Sequence, residues 1–153
     1  MIYKQGTFYL LPFIHHKNDL NTIEQLVCHL TKIHWRLGKT ILITCDTHDQ
    51  AKKINEALWN FEKNSFLPHG LFSKNTYNIP ITIYWSQCCY DNKYRNTLIN
   101  LMQKNKNFFL NFHEIIDFVP NEDNLKKLAR IRYKSYRSLG FNLKTTHIST
   151  KNQ

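Results

Sequence analysis

The stretch "NTIEQLVCHLTKIHWRLGKTILITC", residues 21–45, holds the pattern that decides the fold of this chain. Its first part carries apolar residues at spacings of three and four, the period of an amphipathic helix: Ile23, Leu26, Val27, Leu30, Ile33 and Leu37. Gly38 then supplies the left-handed residue that commonly follows a helix. The next segment, Thr40–Cys45, is apolar enough for a central strand that is buried on both faces. The stretch therefore predicts a helix that leads directly into a central strand.

The neighbouring segments continue this alternation of strands and helices. Thr7–Leu11 predicts a strand before the helix. Thr47 and Gln50 form a capping box that opens a second helix, which we expect to end near Trp59. Three further strands are predicted, at Ile81–Trp85, Thr97–Met102 and Glu114–Val119. Strands that alternate with helices imply parallel pairing with right-handed crossovers.

The last third of the chain completes one domain. Residues 107–112, "NFFLNF", predict a short helix, and a basic helix follows over Glu122–Leu139, closed by Gly140. The fold class is therefore α/β, a single three-layer domain with a mostly parallel twisted sheet of about five or more strands. We expect this domain to span residues 1–146 and residues 147–153 to form a frayed C-terminal tail.

The charge of the chain indicates an anionic partner, since 153 residues carry a net charge of +10. Nucleic acid and an acidic protein are better candidates than a membrane, because no apolar run approaches the roughly 18–20 residues of a spanning helix. The N-terminus also lacks the pattern of a signal peptide, so we expect a cytoplasmic protein whose cysteines are free thiols. The abundance of Asn, Lys and Ile is also typical of an AT-rich coding sequence, which would account for part of the charge without any function.

No pattern in the sequence indicates an active site. The turn after the first strand, "PFIHHKND", lacks the glycines of a dinucleotide site, and no Walker A sequence is present. Asp46 ends the second strand where a ribose-binding acid would lie, but without those glycines it is read as a strand-end polar residue. His15–His16 lies in a loop, and His29 and His34 diverge by about 140° around a helix. We therefore expect no catalytic residue, no cofactor and no metal.

The basic helix has two distinct sides when Leu125–Leu139 is placed on a wheel at about 100° per residue. The side expected to face the core carries Leu125, Leu128, Ala129, Tyr136 and Leu139. The adjoining side carries Lys126, Arg130, Tyr133, Lys134 and Arg137. Arg132 falls within the apolar side, so we expect it to pair with a carboxylate of the sheet.

The cationic side of this helix lies next in sequence to an apolar strand end, Phe118–Pro120. An aromatic ring among cations offers both charge and apolar contact area. Such a surface suits a short acidic peptide that ends in a hydrophobic residue. It suits duplex DNA less, because a duplex requires a longer stripe of charge. A solvated helix face without a partner is the alternative.

A second notable segment is Ala57–Leu71, "ALWNFEKNSFLPHGL", which continues from a helix into a loop. Its apolar residues include Trp59, Phe66, Leu67 and Pro68. So many apolar groups in a loop either pack onto the core or face a partner. The sequence does not separate these two possibilities.

Several segments, taken in order, closely resemble the chi subunit of bacterial DNA polymerase III: "TFYLL", "EQLVCHL", "GKTILITCD", "EALW", "SFLPHGL" and, with dots for positions outside the resemblance, "DFVP.ED.LK.LAR.RYK.YR..GFNL". The resemblance covers about residues 6–146. It implies a nucleotide-binding-like topology without a phosphate loop. It also implies a non-catalytic adaptor for DNA replication, part of the clamp loader of a holoenzyme that has DNA polymerase activity.

The resemblance further implies two binding sites. The acidic, Phe-ending C-terminal tail of single-stranded-DNA-binding protein is expected at Val119, Lys126, Arg130, Tyr133 and Lys134. The psi subunit, where the organism has one, is expected at Trp59, Phe66, Leu67 and Pro68. Single-stranded DNA would then be contacted mainly indirectly. Residues 86–96 depart from the family pattern. The alternative function is direct binding of single-stranded nucleic acid by the basic surface, with a nucleotide-using enzyme third.

Overall fold

Ten secondary-structure elements make up the computed structural model, which describes residues 4–12, 21–61, 66–73, 79–86, 95–104 and 112–148. In chain order they are β1 (Gln5–Leu10), α1 (Asn21–Arg36), β2 (Ile41–Cys45), α2 (His48–Asn60), β3 (His69–Leu71), β4 (Ile81–Trp85), β5 (Thr97–Asn100), β6 (Glu114–Val119), α3 (Asp123–Ser138) and β7 (Asn142–His147).

The seven strands form one sheet in the order β3-β4-β2-β5-β6-β1-β7, and every pair of neighbours is parallel. The expected α/β class is confirmed, and the sheet is entirely rather than mostly parallel. Its two edge strands were not predicted. β3 has only three residues, and five of the six residues of β7, "NLKTTH", are polar, so neither shows an apolar strand pattern.

Helices cover both faces of the sheet, which confirms the three layers. Successive side chains of a strand point to opposite faces. Ile43 of β2 joins one core cluster with Val27 of α1 and Ile54 of α2. Leu42, the preceding residue, joins a second cluster with Tyr136 of α3. α1 and α2 therefore lie on one face of the sheet and α3 on the other.

The helix ends follow the sequence signals closely. The Thr47 hydroxyl accepts a hydrogen bond from the Gln50 amide at 3.1 Å, as a capping box requires. The return bond differs from the expected one, because the Gln50 side chain accepts from the Asp46 amide, at 3.0 Å, instead of from the Thr47 amide. Gly38 and Gly140 have φ angles of 80° and 95°, as predicted for residues that follow a helix.

The last two residues of the apolar repeat in α1 are exposed, whereas the earlier ones are partly or fully buried. α1 ends at Arg36, so Leu37 lies beyond the last helical residue and is 65% exposed. Ile33, one turn earlier, is 41% exposed. The C-terminal end of the predicted apolar repeat therefore does not lie against the core.

Arg132 of α3 lies in the core and pairs with a carboxylate of the sheet, as expected, and the carboxylate is that of Asp117 in β6. The Arg132 Nε and Nη2 atoms donate to the two carboxylate oxygens at 3.0 and 3.1 Å. The Tyr136 hydroxyl donates to the same carboxylate at 2.7 Å, and the Asn100 amide at 3.1 Å. Arg132 also donates to the Gln103 carbonyl at 2.8 Å. One buried network therefore joins α3 to β5, β6 and the loop after β5.

Burial governs the titration of this network. Burial raises the pKa of Asp117, while the charge and hydrogen bonds of Arg132 oppose that rise. Burial and the nearby Asp117 raise the pKa of Tyr136 well above its usual value. The Tyr136 hydroxyl therefore keeps its proton and remains a hydrogen-bond donor to the carboxylate.

Some predictions lie outside the described residues. These include His15–His16, the adjacent cysteines Cys88 and Cys89, and residues 107–111 of the predicted short helix, whose last residue Phe112 is described and buried. The other two cysteines, Cys28 and Cys45, are buried free thiols. His147 ends β7 and Ile148 packs against the core, so these two residues do not belong to the expected frayed tail. For residues 149–153, which lie outside the described residues, the tail stays a prediction.

We predict that Arg132→Leu lowers the free energy of unfolding by roughly 3–5 kcal/mol, because it leaves Asp117 buried without its cation. Urea denaturation followed by circular dichroism measures this change. The double variant Arg132→Leu/Asp117→Asn should lose less, because no charge remains buried. Arg137→Leu, on the exposed side of the same helix, is the control. Equal unfolding free energies for Arg132→Leu and Arg137→Leu would contradict the prediction.

Candidate binding surfaces

A groove of about 340 Å³ lies between α3 and strands β1, β6 and β7. It is lined by Phe8, Leu10, Val119, Lys126, Ala129, Arg130, Tyr133 and Thr145. Leu10 and Val119 are the last residues of their strands and are paired in register. The groove therefore opens near the carboxyl edge of the sheet, on the face that α3 covers.

The floor of the groove is apolar because it continues the core beneath α3. The buried Phe8 ring lies 5.3 Å from the Tyr133 ring, centroid to centroid. Tyr133 and Val119 are partly buried and pack against the same core cluster. An apolar side chain placed here would contact ordered rings and a branched aliphatic group.

The rim of the groove is cationic. Lys126 and Arg130 lie one turn apart on α3, and Arg130 is exposed. No carboxylate within the described ranges lies within 4 Å of either side-chain cation. An apolar floor below two unneutralised cations suits a ligand that carries an apolar group and a carboxylate. The Arg guanidinium can also bind a carboxylate with two parallel hydrogen bonds.

The structure brings four of the five expected tail-site residues together in this groove, and Lys134 is the exception. Lys134 is exposed one turn beyond Arg130 and does not line the groove. Sequence reasoning missed four lining residues, namely Phe8, Leu10, Ala129 and Thr145. The first two lie in a predicted strand, but no sequence signal indicated that β1 would pair with both β6 and β7.

A pair of exposed aromatic rings lies on the other side of the sheet, near the end of α2. Trp59 is 59% exposed and Phe66 is 71% exposed, with ring centroids 6.2 Å apart. Leu67, the next residue, is only 4% exposed and belongs to the core, and Pro68 is half-buried. Of the apolar residues in this segment, some therefore pack onto the core and others are exposed. We call Trp59, Phe66 and Pro68 the aromatic surface.

His69 supports the aromatic surface from below, a role that was not predicted from the sequence. Its buried ring lies 4.7 Å from the Trp59 ring. The Nδ1 atom lies 2.7 Å from the Leu67 carbonyl oxygen, and the Nε2 atom lies 3.1 Å from the Asn55 carbonyl oxygen. His69 therefore links the start of β3 to α2 directly beneath Trp59. The sequence feature that could have indicated this role is the position of His69 between Pro68 and Gly70, at the end of a loop.

The described residues were also compared with the requirements of a metal site and of a membrane-spanning helix. Over the part of the chain that the structure describes, no group of three or more His, Cys, Asp or Glu residues could hold a metal ion. Among the same residues, no helix has the length and apolar character needed to cross a bilayer.

The fold and these features define a small α/β protein with two candidate contact surfaces, one on each face of its sheet. The model of the family described as "DNA polymerase III chi subunit, HolC" matches residues 4–144. The chain belongs to this family of DNA polymerase III accessory subunits.

Individual relatives agree with this assignment. The chain is 43% identical to DNA polymerase III subunit chi of Escherichia coli (strain K12), over 93% of this chain and 97% of that protein. It is 41% identical to the same subunit of Haemophilus influenzae, over 95% and 98% of the two chains. The crystal structure of T4 UvsW superposes with a TM-score of 0.60 at 12% identity, over 95% of this chain and 42% of that one. That likeness shows the fold alone.

We predict that His69→Ala loosens Trp59 as well as destabilising the chain, because the ring that supports the indole is removed. The expected loss of unfolding free energy is about 1–3 kcal/mol, the scale for leaving buried polar groups unpaired. The Trp59 indole N–H resonance in a ¹H–¹⁵N spectrum should move and broaden. His147→Ala, at an exposed position, is the control. An unchanged Trp59 resonance in a folded His69→Ala variant would count against this role.

Proposed function

We propose that this chain is a non-catalytic adaptor in the clamp loader of DNA polymerase III and acts in the cytoplasm. In this proposal the groove binds the acidic, Phe-ending C-terminal tail of single-stranded-DNA-binding protein. The aromatic surface binds the psi subunit. The observation that carries the proposal is the groove itself, in which Arg130 and Lys126 lie above an apolar floor with no carboxylate of the described residues within 4 Å.

The volume, the apolar floor and the cations of the groove each suit one feature of such a tail. Its volume of about 340 Å³ lies at the small end of the roughly 300–1,000 Å³ range of ligand pockets, which suits one aromatic ring with its carboxylate. The terminal ring would lie against Tyr133 and Val119. Arg130 would bind the terminal carboxylate, and Lys126 and Lys134 would attract the acidic residues upstream.

The aromatic surface has the composition of a protein contact site. Exposed aromatic side chains are enriched among the residues that dominate binding energy at interfaces. Trp59 is held in place by His69, so little side-chain freedom is lost when a partner packs against it. Leu67 is buried and would support the contact from the core instead of touching psi.

Direct binding of single-stranded nucleic acid is the second candidate function. The observation that favours it is the set of exposed cations on α3, which have no carboxylate of the described residues within 4 Å, together with the net charge of +10. Phosphate contacts of this kind are strongly salt-dependent and do not require a terminal carboxylate. In the first function Arg130 binds a terminal carboxylate, and in the second it binds phosphate groups.

We predict that Arg130→Ala weakens binding of the tail peptide by about 2–4 kcal/mol, as truncation of one partner in a hydrogen-bonded charge pair does. Isothermal titration calorimetry measures the change. Arg130→Lys should restore little, because an ammonium lacks the two-pronged geometry of a guanidinium. Lys53→Ala on α2, an exposed cation on the opposite face, is the control.

The same titration with a peptide whose terminal carboxylate is amidated separates the two functions. Amidation should remove most of the Arg130-dependent affinity. If amidation leaves affinity unchanged while added salt abolishes it, the groove is a diffuse cationic patch. Direct nucleic-acid binding would then be the better account.

We predict that Phe66→Ala weakens psi binding by about 2 kcal/mol or more, the scale of an aromatic hot spot. The fold should persist because Phe66 is largely exposed. Tail binding should be unchanged, since the groove lies on the other face of the sheet. Pull-down and calorimetry with purified psi measure the loss, with Lys53→Ala again as the control. Equal psi affinities for Phe66→Ala and the unaltered chain would place the psi contact elsewhere.

A further inference from the structure

The outer face of α3 carries an exposed apolar side chain that the groove does not use. Ile131 is 59% exposed. Lys127 lies four residues before it and Lys134 three residues after it, so both flank it on the helix surface. Both lysines are exposed, and no carboxylate in the described part of the chain lies within 4 Å of either. An apolar patch between two free cations therefore lies beside the groove.

The charges around the groove decide how an acidic peptide anchored at Arg130 would leave it. Toward the N-terminal end of α3 the peptide would meet Glu122 and Asp123, two exposed acidic residues that repel it. This direction is therefore unfavourable.

Among the described residues, β7 itself carries no lysine or arginine on the groove side. Leu143 packs with the core beneath α3, and Ile148 packs with the core on the opposite face. Side chains alternate along a strand, so Thr145 and His147 point to the groove side. Lys144 points to the opposite face, away from the groove.

We propose that the acidic peptide crosses the outer face of α3, with carboxylates near Lys134 and Lys127 and an apolar side chain against Ile131. The inference rests on the proposed binding of the acidic tail and adds its path and a second specificity contact. Arg130 and Ile131 lie about 100° apart around a helix roughly 10–12 Å in diameter, an arc of about 10 Å. About three extended residues span that distance. The apolar residue should therefore lie about three residues before the terminal one.

Two synthetic peptides with acetylated N-termini and free carboxylates test this path. The short peptide is Asp-Asp-Phe, which reaches only the groove. The long peptide is Asp-Asp-Asp-Asp-Leu-Asp-Asp-Phe, which places a leucine at the distance of Ile131. Both are titrated into the full chain and its variants by calorimetry.

Ile131→Gln should weaken the long peptide about three- to tenfold, the scale of a partly buried aliphatic contact. The short peptide should bind this variant as it binds the unaltered chain, within about twofold. Replacing the peptide leucine by serine should cause a similar loss, and that loss should disappear in Ile131→Gln. Lys127→Gln should weaken the long peptide more at low salt than at high salt.

Arg137→Gln and Lys144→Gln are the matched controls, since each removes a cation that lies away from the proposed path of the peptide. The inference is overturned if both peptides bind and Ile131→Gln affects them equally, or if a control variant carries the loss specific to the long peptide. It is also overturned if Ile131→Gln and Lys127→Gln weaken a twenty-nucleotide oligo(dT) and not the long peptide. If neither peptide binds the unaltered chain, the proposed tail binding itself fails, which is a distinct result.

Discussion

The pairing of Arg132 with Asp117 is the interaction on which the arrangement of α3 depends. A buried guanidinium must meet its carboxylate in one geometry, because an unpaired charge in the core is strongly unfavourable. Tyr136 and Asn100 donate to the same carboxylate, so β5, β6 and α3 share one network. The rotation of α3 about its own axis is thereby set. The directions of the neighbouring side chains on α3, toward the groove or toward solvent, follow from this rotation.

That rotation links the core to the proposed binding chemistry. With Arg132 directed inward, Arg130 and Tyr133 line the groove and Ile131 points to the outer face. The aromatic surface is built separately, where His69 links the start of β3 to α2 and packs against Trp59. The groove and the aromatic surface lie on opposite faces of the sheet. The two proposed partners would therefore not compete, which is what an adaptor requires.

Much of the fold could be predicted from local patterns. The strands Ile81–Trp85 and Glu114–Val119 have the predicted boundaries, and α3 begins and ends within one residue of the expected helix. β3 and β7 could not be predicted, because a strand stabilised by its neighbour's backbone needs no apolar pattern of its own. For the site, periodicity placed Lys126, Arg130 and Tyr133 on one side of α3. It could not show that Lys134 stands outside the groove.

The sequence by itself determined the α/β class, the basic side of α3, the burial of Arg132 and the family, because these depend on periodicity, composition and the order of motifs along the chain. Only the tertiary structure decided which strands pair, that Asp117 is the partner of Arg132, and that Phe8, Leu10 and Thr145 complete the groove. It also separated the exposed Phe66 from the buried Leu67 beside it. The reason is physical: contacts between residues far apart in sequence depend on the order of the strands in the sheet, which the side-chain pattern within one segment does not specify.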